Sequence, residues 1–222
     1  MDTPTAVMKE DWSLAAHFLA EVYETQEDPA AFIEGIKDGS VDLAADARFN
    51  ELMDTFDLLK DNNFHAGAPV AAVREDSEMY LADGDVAFMF GGNWDWALIN
   101  EFDPDAEMGM MAVPQANDAY NTKMVGGGSK YFFIDSSDNT SEEQRQAAKD
   151  FLNWLVYSEN GQDYVVNQFA LVPAYSNITL EVSDPLGKSV KEYSDAGEMV
   201  GNYNYLPDDH YSKCGASFQK YL

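Results

Sequence analysis

The chain has 222 residues, of which 45% are hydrophobic and 13% aromatic, so it can bury a sizeable core and is expected to be globular. Thirteen Lys and Arg against forty Asp and Glu give a formal net charge of −27. Nucleic acids and anionic lipid surfaces require a basic binding face, so both are excluded as general electrostatic partners. The acidic excess suits a solubilising surface.

Cysteine and histidine usage gives no sign of a cofactor. The single cysteine, Cys214, excludes an intrachain disulfide, and His17, His65 and His210 lack the spacing of metal ligands. We therefore predict no metal and no other cofactor. No apolar run approaches the ~20 residues of a transmembrane helix. The opening residues do not resemble a signal peptide, so an exported form is expected to have lost its targeting segment.

Apolar residues recur at helical spacing along most of the chain. The predicted helices are 11–24 with Asp11 as N-cap, 32–39, 46–61, 75–81, one that begins at the Ser141–Gln144 capping box, 158–169 and, weakly, 187–200. Apolar runs predict strands at 86–90, 107–113 and 131–134, the first of them buried on both faces. A last helical pattern reaches Leu222. Strands that alternate with helices favour an α/β fold.

Nucleophilic catalysis has little support in the sequence. The chain has no Gly-x-Ser-x-Gly elbow, and Cys214 stands four residues from His210 with no evident orienting partner. Acidic residues are so abundant that a glycosidase-like carboxylate pair would not stand out from them. A carboxylate-based carbohydrate hydrolase and an acidic protein-interaction module therefore remain as alternative functions.

The run Gly126–Ser129, followed by Lys130, lacks the spacing of a phosphate-binding loop, and a predicted strand follows it instead of a helix. A bulge is the simpler interpretation. Three glycines after one strand also fit a place where a ligand comes close to the backbone.

The most informative segment runs from Gly84 to Trp96. A predicted strand ends in Gly91 and Gly92, and Asn93 and Trp94 follow at the start of a helix. Ligands of open α/β sheets bind at the carboxyl ends of strands. An indole offers a flat surface to the apolar face of a sugar, and an amide both donates and accepts hydrogen bonds. Trp94 and Trp96, two residues apart, cannot share one face of a helix, so at least one is expected to leave the core.

Segment 77–99 resembles a signature of the sugar-binding proteins of ABC transporters, the maltose-binding-like group of extracellular solute-binding proteins. Further segments match in the family's order, over roughly 10–222: 108–114, 125–128, 147–155, 158–162, 171–174 and 215–221. The resemblance implies a helix-rich α/β fold of the type II periplasmic-binding-protein kind with a small mixed sheet. It also implies that 1–222 is a single lobe, mainly the second of two, with most of the N-terminal lobe missing.

The same resemblance implies a ligand site. Trp94 would stack on the sugar, with Gly92, Asn93 and Trp96 beside it. The opposite wall of the cleft would contain Gly127, Gly128 and Ser129, and a further cleft aromatic is expected at His210 and Tyr211.

The function implied is non-catalytic. The protein would close a cleft around a carbohydrate and present it to the permease subunits of an ABC importer. It would work outside the cytoplasm, in the periplasm or as a lipoprotein at the cell surface.

Overall fold

The structure is a computed structural model that describes residues 2–7, 9–117, 119, 121–128, 130–201, 206–207 and 209–222. Helices dominate the described residues. The α-helices are α1 (Ala20–Glu24), α2 (Pro29–Asp38), α3 (Ala47–Asp61), α4 (Arg74–Ala82), α5 (Trp96–Phe102), α6 (Glu142–Tyr157), α7 (Glu159–Asp163), α8 (Pro185–Asp195) and α9 (His210–Tyr221). Two π-helices, Trp12–Phe18 and Tyr164–Gln168, and short 3₁₀ turns, among them Asn93–Asp95, complete the helical part.

Local capping determines where several of these helices begin. The Asp46 carboxylate accepts the Phe49 N–H at the start of α3. Ser141 and Gln144 exchange side-chain and backbone hydrogen bonds at the start of α6, which confirms the predicted capping box. The predicted helices 46–61 and 75–81 are likewise confirmed as α3 and α4.

The predicted helix 11–24 is present but not uniform. Asp11 accepts the Trp12 N–H, as an N-cap should, and the chain then forms a π-helix before it continues as α1. Helix α9 crosses this π-helix so closely that a Cβ atom on Gly215 would overlap Asp11. Predicted helix 158–169 similarly divides into α7 and the second π-helix.

Two small sheets are described, and each is a parallel pair of strands. Strand β1 (Thr5–Ala6) pairs with β2 (Phe88–Met89), and β3 (Met124–Val125) pairs with β4 (Met199–Val200). The helix-rich lobe with little sheet is therefore confirmed, whereas the described strands pair only in parallel and do not form the mixed sheet that was expected. The expectation of a strand buried on both faces at 86–90 is wrong, because β2 is two residues long and Phe88 is 56% exposed.

The strands predicted at 107–113 and 131–134 are also wrong, since both segments are irregular. In the first, backbone groups bond to side chains of α8: the Met110 N–H donates to Ser189 Oγ and the Ala112 N–H to Tyr193 Oη. These side chains replace the neighbouring strand that a ladder would require. The second segment lies at the surface, where Phe133 is 91% exposed.

The main core lies among β1, the first π-helix, α1, α2, α3 and α9. Its buried members are Val7, Leu14, Phe18, Leu19, Val22, Tyr23, Ile33, Leu52, Phe56, Leu206 and Phe218. A second, much smaller cluster consists of Val166, Ile178 and Val182. Among the described residues, no helix combines the length and apolar character needed to cross a membrane.

Candidate functional site

The turn that follows β2, Gly91–Trp94, is built around two glycines that have no room for a side chain. A Cβ atom on Gly91 would overlap the Asp95 carboxylate, and one on Gly92 would overlap the Trp94 ring. The indole of Trp94 therefore lies against Gly92, yet it remains 44% exposed. The structure thus brings together three of the predicted site residues, Gly92, Asn93 and Trp94, at the end of a strand.

Two aromatic residues of the first π-helix lie beside this indole, with an angle of 45° between the His17 and Trp94 rings and of 76° between the Trp12 and His17 rings. The His17 ring lies 5.2 Å from the Trp94 ring and 5.4 Å from the Trp12 ring, measured between centroids. We call Trp12, His17 and Trp94 the aromatic platform. A π-helix places residues five apart on adjacent turns, so its geometry is what brings Trp12 next to His17. Trp12 and His17 were missed by sequence reasoning, and their five-residue spacing was the signal available.

A buried acidic cluster supports the turn from below. The Gly92 N–H donates to Asp95 Oδ2 at 2.8 Å. Glu78 lies beside Asp95, and each residue is only 1% exposed. The Arg74 guanidinium reaches both carboxyl groups, with Nε 3.4 Å from Glu78 and Nη1 3.8 Å from Asp95. Sequence reasoning missed this cluster also, although Arg74 and Glu78 are four residues apart on α4.

Burial changes the protonation of these groups. It lowers the pKa of His17, with the charge of Asp95 acting in the opposite direction, so the imidazole is neutral at pH 7. Burial, together with the hydrogen bond and charge of Asp95, raises the pKa of Glu78 to about 8. Burial also raises the pKa of Asp95, but there the hydrogen bonds from Glu78 and Gly92 and the charge of Arg74 oppose it.

Trp96, the other predicted tryptophan, points into a different surface. It lines an open depression of about 620 Å³. The other lining residues are Pro104, Asp105, Ala106, Glu107, Met108, Ser183, Pro185 and Lys188. The structure therefore places Trp96 on a different surface from Trp94 and does not bring it together with the other predicted residues of that turn.

The glycine run follows β3, in the other sheet. Gly127 and Gly128 are exposed. A Cβ atom on Gly128 would make only ordinary contact with the Tyr131 side chain, at 3.4 Å or more, so no described residue closely approaches the Gly128 backbone. Ser129 lies outside the described residues.

His210 and Tyr211 begin α9, where both pack on the main core. His210 Nε2 lies 3.1 Å from the Tyr23 hydroxyl, and the Cys214 sulfur is 3.8 Å from both ring nitrogens. Burial lowers the pKa of His210 and raises that of the Cys214 thiol. A neutral thiol beside a neutral imidazole is not an activated nucleophile. Among the described residues, no group of three or more His, Cys, Asp or Glu is arranged to hold a metal ion.

An exposed aromatic surface at a strand end, on a helix-rich α/β lobe, is typical of a protein that binds small molecules. The sequence model of the bacterial extracellular solute-binding proteins matches residues 11–197, and the chain belongs to that family. The match includes the aromatic platform, the acidic cluster and the glycine run. Proteins of this family work outside the cytoplasm, so the chain is extracytoplasmic. A search among curated proteins gave no match.

Proposed function

We propose that this protein binds a sugar or oligosaccharide on the aromatic platform and delivers it to the permease of an ABC importer, without catalysing a reaction. The observation that carries the proposal is the exposed Trp94 indole, held against Gly92 and extended by the rings of His17 and Trp12. A sugar ring has an apolar C–H face that such a surface can cover.

Polar groups at the platform complement the hydroxyl groups of a sugar. Asn93 both donates and accepts hydrogen bonds, and a neutral His17 does the same with its two ring nitrogens. Neither carries a charge, which suits an uncharged ligand better than an anion or a cation. Membership of the solute-binding family supports the binding of a solute, and the choice of a sugar rests on these side chains.

We propose further that residues 1–222 form one lobe, mainly the second of two, and that the other lobe completes the cleft. In this proposal Gly127, Gly128 and Ser129 line the cleft opposite Trp94. A ligand that contacts both walls favours the closed form by its differential affinity, and the closed form is what a permease would recognise.

Hydrolysis is the weaker alternative. Glu78 and Asp95 form a buried carboxyl pair, but they are hydrogen-bonding neighbours, closer than the separation of about 5 Å or more between the two carboxyl groups of glycosidases. Both side chains are 1% exposed beneath the Trp94 turn, so a substrate on the platform would not touch them. Their position favours a supporting role over general acid catalysis.

The test is calorimetric titration with a panel of monosaccharides and oligosaccharides, combined with assay of the same mixtures for cleavage products. Trp94→Ala should weaken binding by on the order of 2 kcal/mol, the loss typical of a central aromatic contact. Trp154→Ala is the matched control, since Trp154 is 40% exposed and lies on α6, outside the platform. Equal affinity in wild type and folded Trp94→Ala would disprove the site, and release of smaller sugars would favour a hydrolase.

A further inference from the structure

The buried acidic cluster has more negative charge than its one arginine neutralises. If both carboxyl groups were ionised, Glu78 and Asp95 would carry two charges against the single charge of Arg74. At 1% exposure, water cannot solvate the excess. A buried, unpaired carboxylate is costly enough that such a group takes up a proton instead.

The hydrogen bonds of the cluster lead to the same conclusion. Asp95 Oδ2 accepts the Gly92 N–H, whereas Asp95 Oδ1 and both oxygens of Glu78 are buried and accept no hydrogen bond among the described residues, since Arg74 meets them only as an ion pair. Two carboxylates can only accept. The two groups are hydrogen-bonding neighbours, so a proton on one of them creates the missing donor. Asp95 already accepts a backbone N–H, so the proton belongs on Glu78.

We propose that Glu78 is a positioning residue, whose protonated carboxyl group donates a hydrogen bond to ionised Asp95. This bond holds Asp95 against the Gly92 amide, and Gly92 in turn packs against the Trp94 ring. The effect of this hydrogen bond on ligand binding rests on the function proposed above. The protonation of Glu78 and its effect on the turn are independent of that function.

The groups around the pair set the direction of its pH dependence. Arg74 and Glu75 face Glu78 from α4, and His17 faces Asp95 from the first π-helix. Helix α8 packs on the Asn93–Asp95 turn, and its Lys188 lines the Trp96 depression. With its pKa raised to about 8, Glu78 stays protonated through neutral pH. Above pH 8 it ionises, the two carboxylates repel each other, and the turn loosens.

Nuclear magnetic resonance tests this without any ligand. The side-chain carboxyl carbon of Glu78 should titrate well above the ordinary range of a glutamate. Exchange of the Gly92 amide, corrected for the intrinsic pH dependence, should rise by about tenfold from pH 7 to pH 9, because roughly 90% of a group ionises one unit above its pKa. Glu78→Gln keeps a donor that cannot ionise, so its corrected exchange should be slow and flat with pH.

Two further variants complete the design. Glu78→Ala removes the donor and should raise Gly92 exchange at every pH. Asp76→Asn changes an exposed carboxylate on the same helix, outside the groups that face Glu78, and should retain the wild-type profile. An ordinary glutamate titration of Glu78, or a wild-type pH profile in Glu78→Gln, would overturn the proposal. If the proton is found but the sugar panel shows no binding, only the proposed function fails. If sugars bind while the corrected exchange of the Gly92 amide does not change with pH, only the positioning role fails.

Discussion

Two regions of this chain contrast in how they bury their apolar residues. The N-terminal body, which we define as residues 5–102 together with α9, encloses aromatic side chains such as Phe18, Phe56 and Phe218 in one core. The middle segment, residues 124–182, leaves large rings at its surface. Those at least 40% exposed are Tyr131, Phe132, Phe133, Phe151, Trp154, Tyr157, Tyr164, Phe169 and Tyr175.

The contrast does not come from helix quality. Helix α6 has a complete capping box and an apolar stripe, yet Phe151 on that stripe is 51% exposed and only Leu155 is buried. Helix α3 has a comparable cap, and its Leu52 and Phe56 are enclosed by neighbouring elements. An amphipathic pattern thus shows which face of a helix favours burial, while burial itself depends on the elements packed around it.

The largest expected effect comes from truncating the core of the N-terminal body. Phe56 packs against Phe18 and Phe218, with centroids 5.4 and 4.9 Å away, so Phe56→Ala should cost about 3–5 kcal/mol in free energy of unfolding. Phe151→Ala in the middle segment should cost less than about 1 kcal/mol, because the ring is already half in water. Urea unfolding of both variants measures the contrast. Equal losses would mean that Phe151 is covered in solution.

The middle segment also contains a close contact between α6 and α7. A Cβ atom on Gly161 would overlap the Trp154 carbonyl and the backbone of Leu155. Gly161→Ala should therefore destabilise the protein by about 1–3 kcal/mol, the usual cost of overpacking. Gly67→Ala is the control, since nothing lies within 4 Å of a Cβ there. Similar melting temperatures for the two variants would show that the α6–α7 contact is loose.

Burial within the N-terminal body should also appear as a pH dependence. Burial, then the charge of Glu24, raises the pKa of Glu21 to about 8. Folding then takes up a proton that the unfolded chain releases near pH 4.5, so stability falls as pH rises from about 4.5 to 8. Glu21→Gln should reduce the loss of unfolding free energy between pH 6 and pH 8 by about 1–2 kcal/mol. Thermal unfolding against pH measures it, with Glu142→Gln, an exposed residue of the middle segment, as the control. An unchanged slope in Glu21→Gln would contradict the assignment.

The smallest effects should be the same in both regions, because capping is local. Asp46→Ala removes the acceptor of the Phe49 N–H, and Ser141→Ala removes that of the Gln144 N–H. Each should cost about 1 kcal/mol of unfolding free energy. A negligible loss for Ser141→Ala alone would mean that α6 does not unfold together with the N-terminal body.

Sequence reasoning succeeded where the cause is local. The caps at Asp11 and Ser141 and the glycine turn before Trp94 depend on residues within a few positions of one another. It failed at 107–113, where an apolar run favours a strand but Ser189 and Tyr193, far along the chain, supply the hydrogen bonds. The candidate site shows the same difference between local and long-range causes. Trp94 was predictable from its own turn, whereas Trp12, His17 and the Arg74–Glu78–Asp95 cluster join it only through packing between separate elements.

The π-helix at Trp12–Phe18 makes the contact between the Trp12 and His17 rings sensitive to chain length. A π-helix is an α-helix turn widened by an extra residue, and each residue turns an α-helix by about 100°. Residues five apart lie about 140° apart around an α-helix, so Trp12 and His17 would face different sides if this stretch were α-helical. Deleting one residue between them would leave them four apart, a spacing at which an α-helix keeps two side chains on one face. The two rings can therefore stay neighbours in a π-helix of this length or in an α-helix one residue shorter, whereas an α-helix of the present length would separate them.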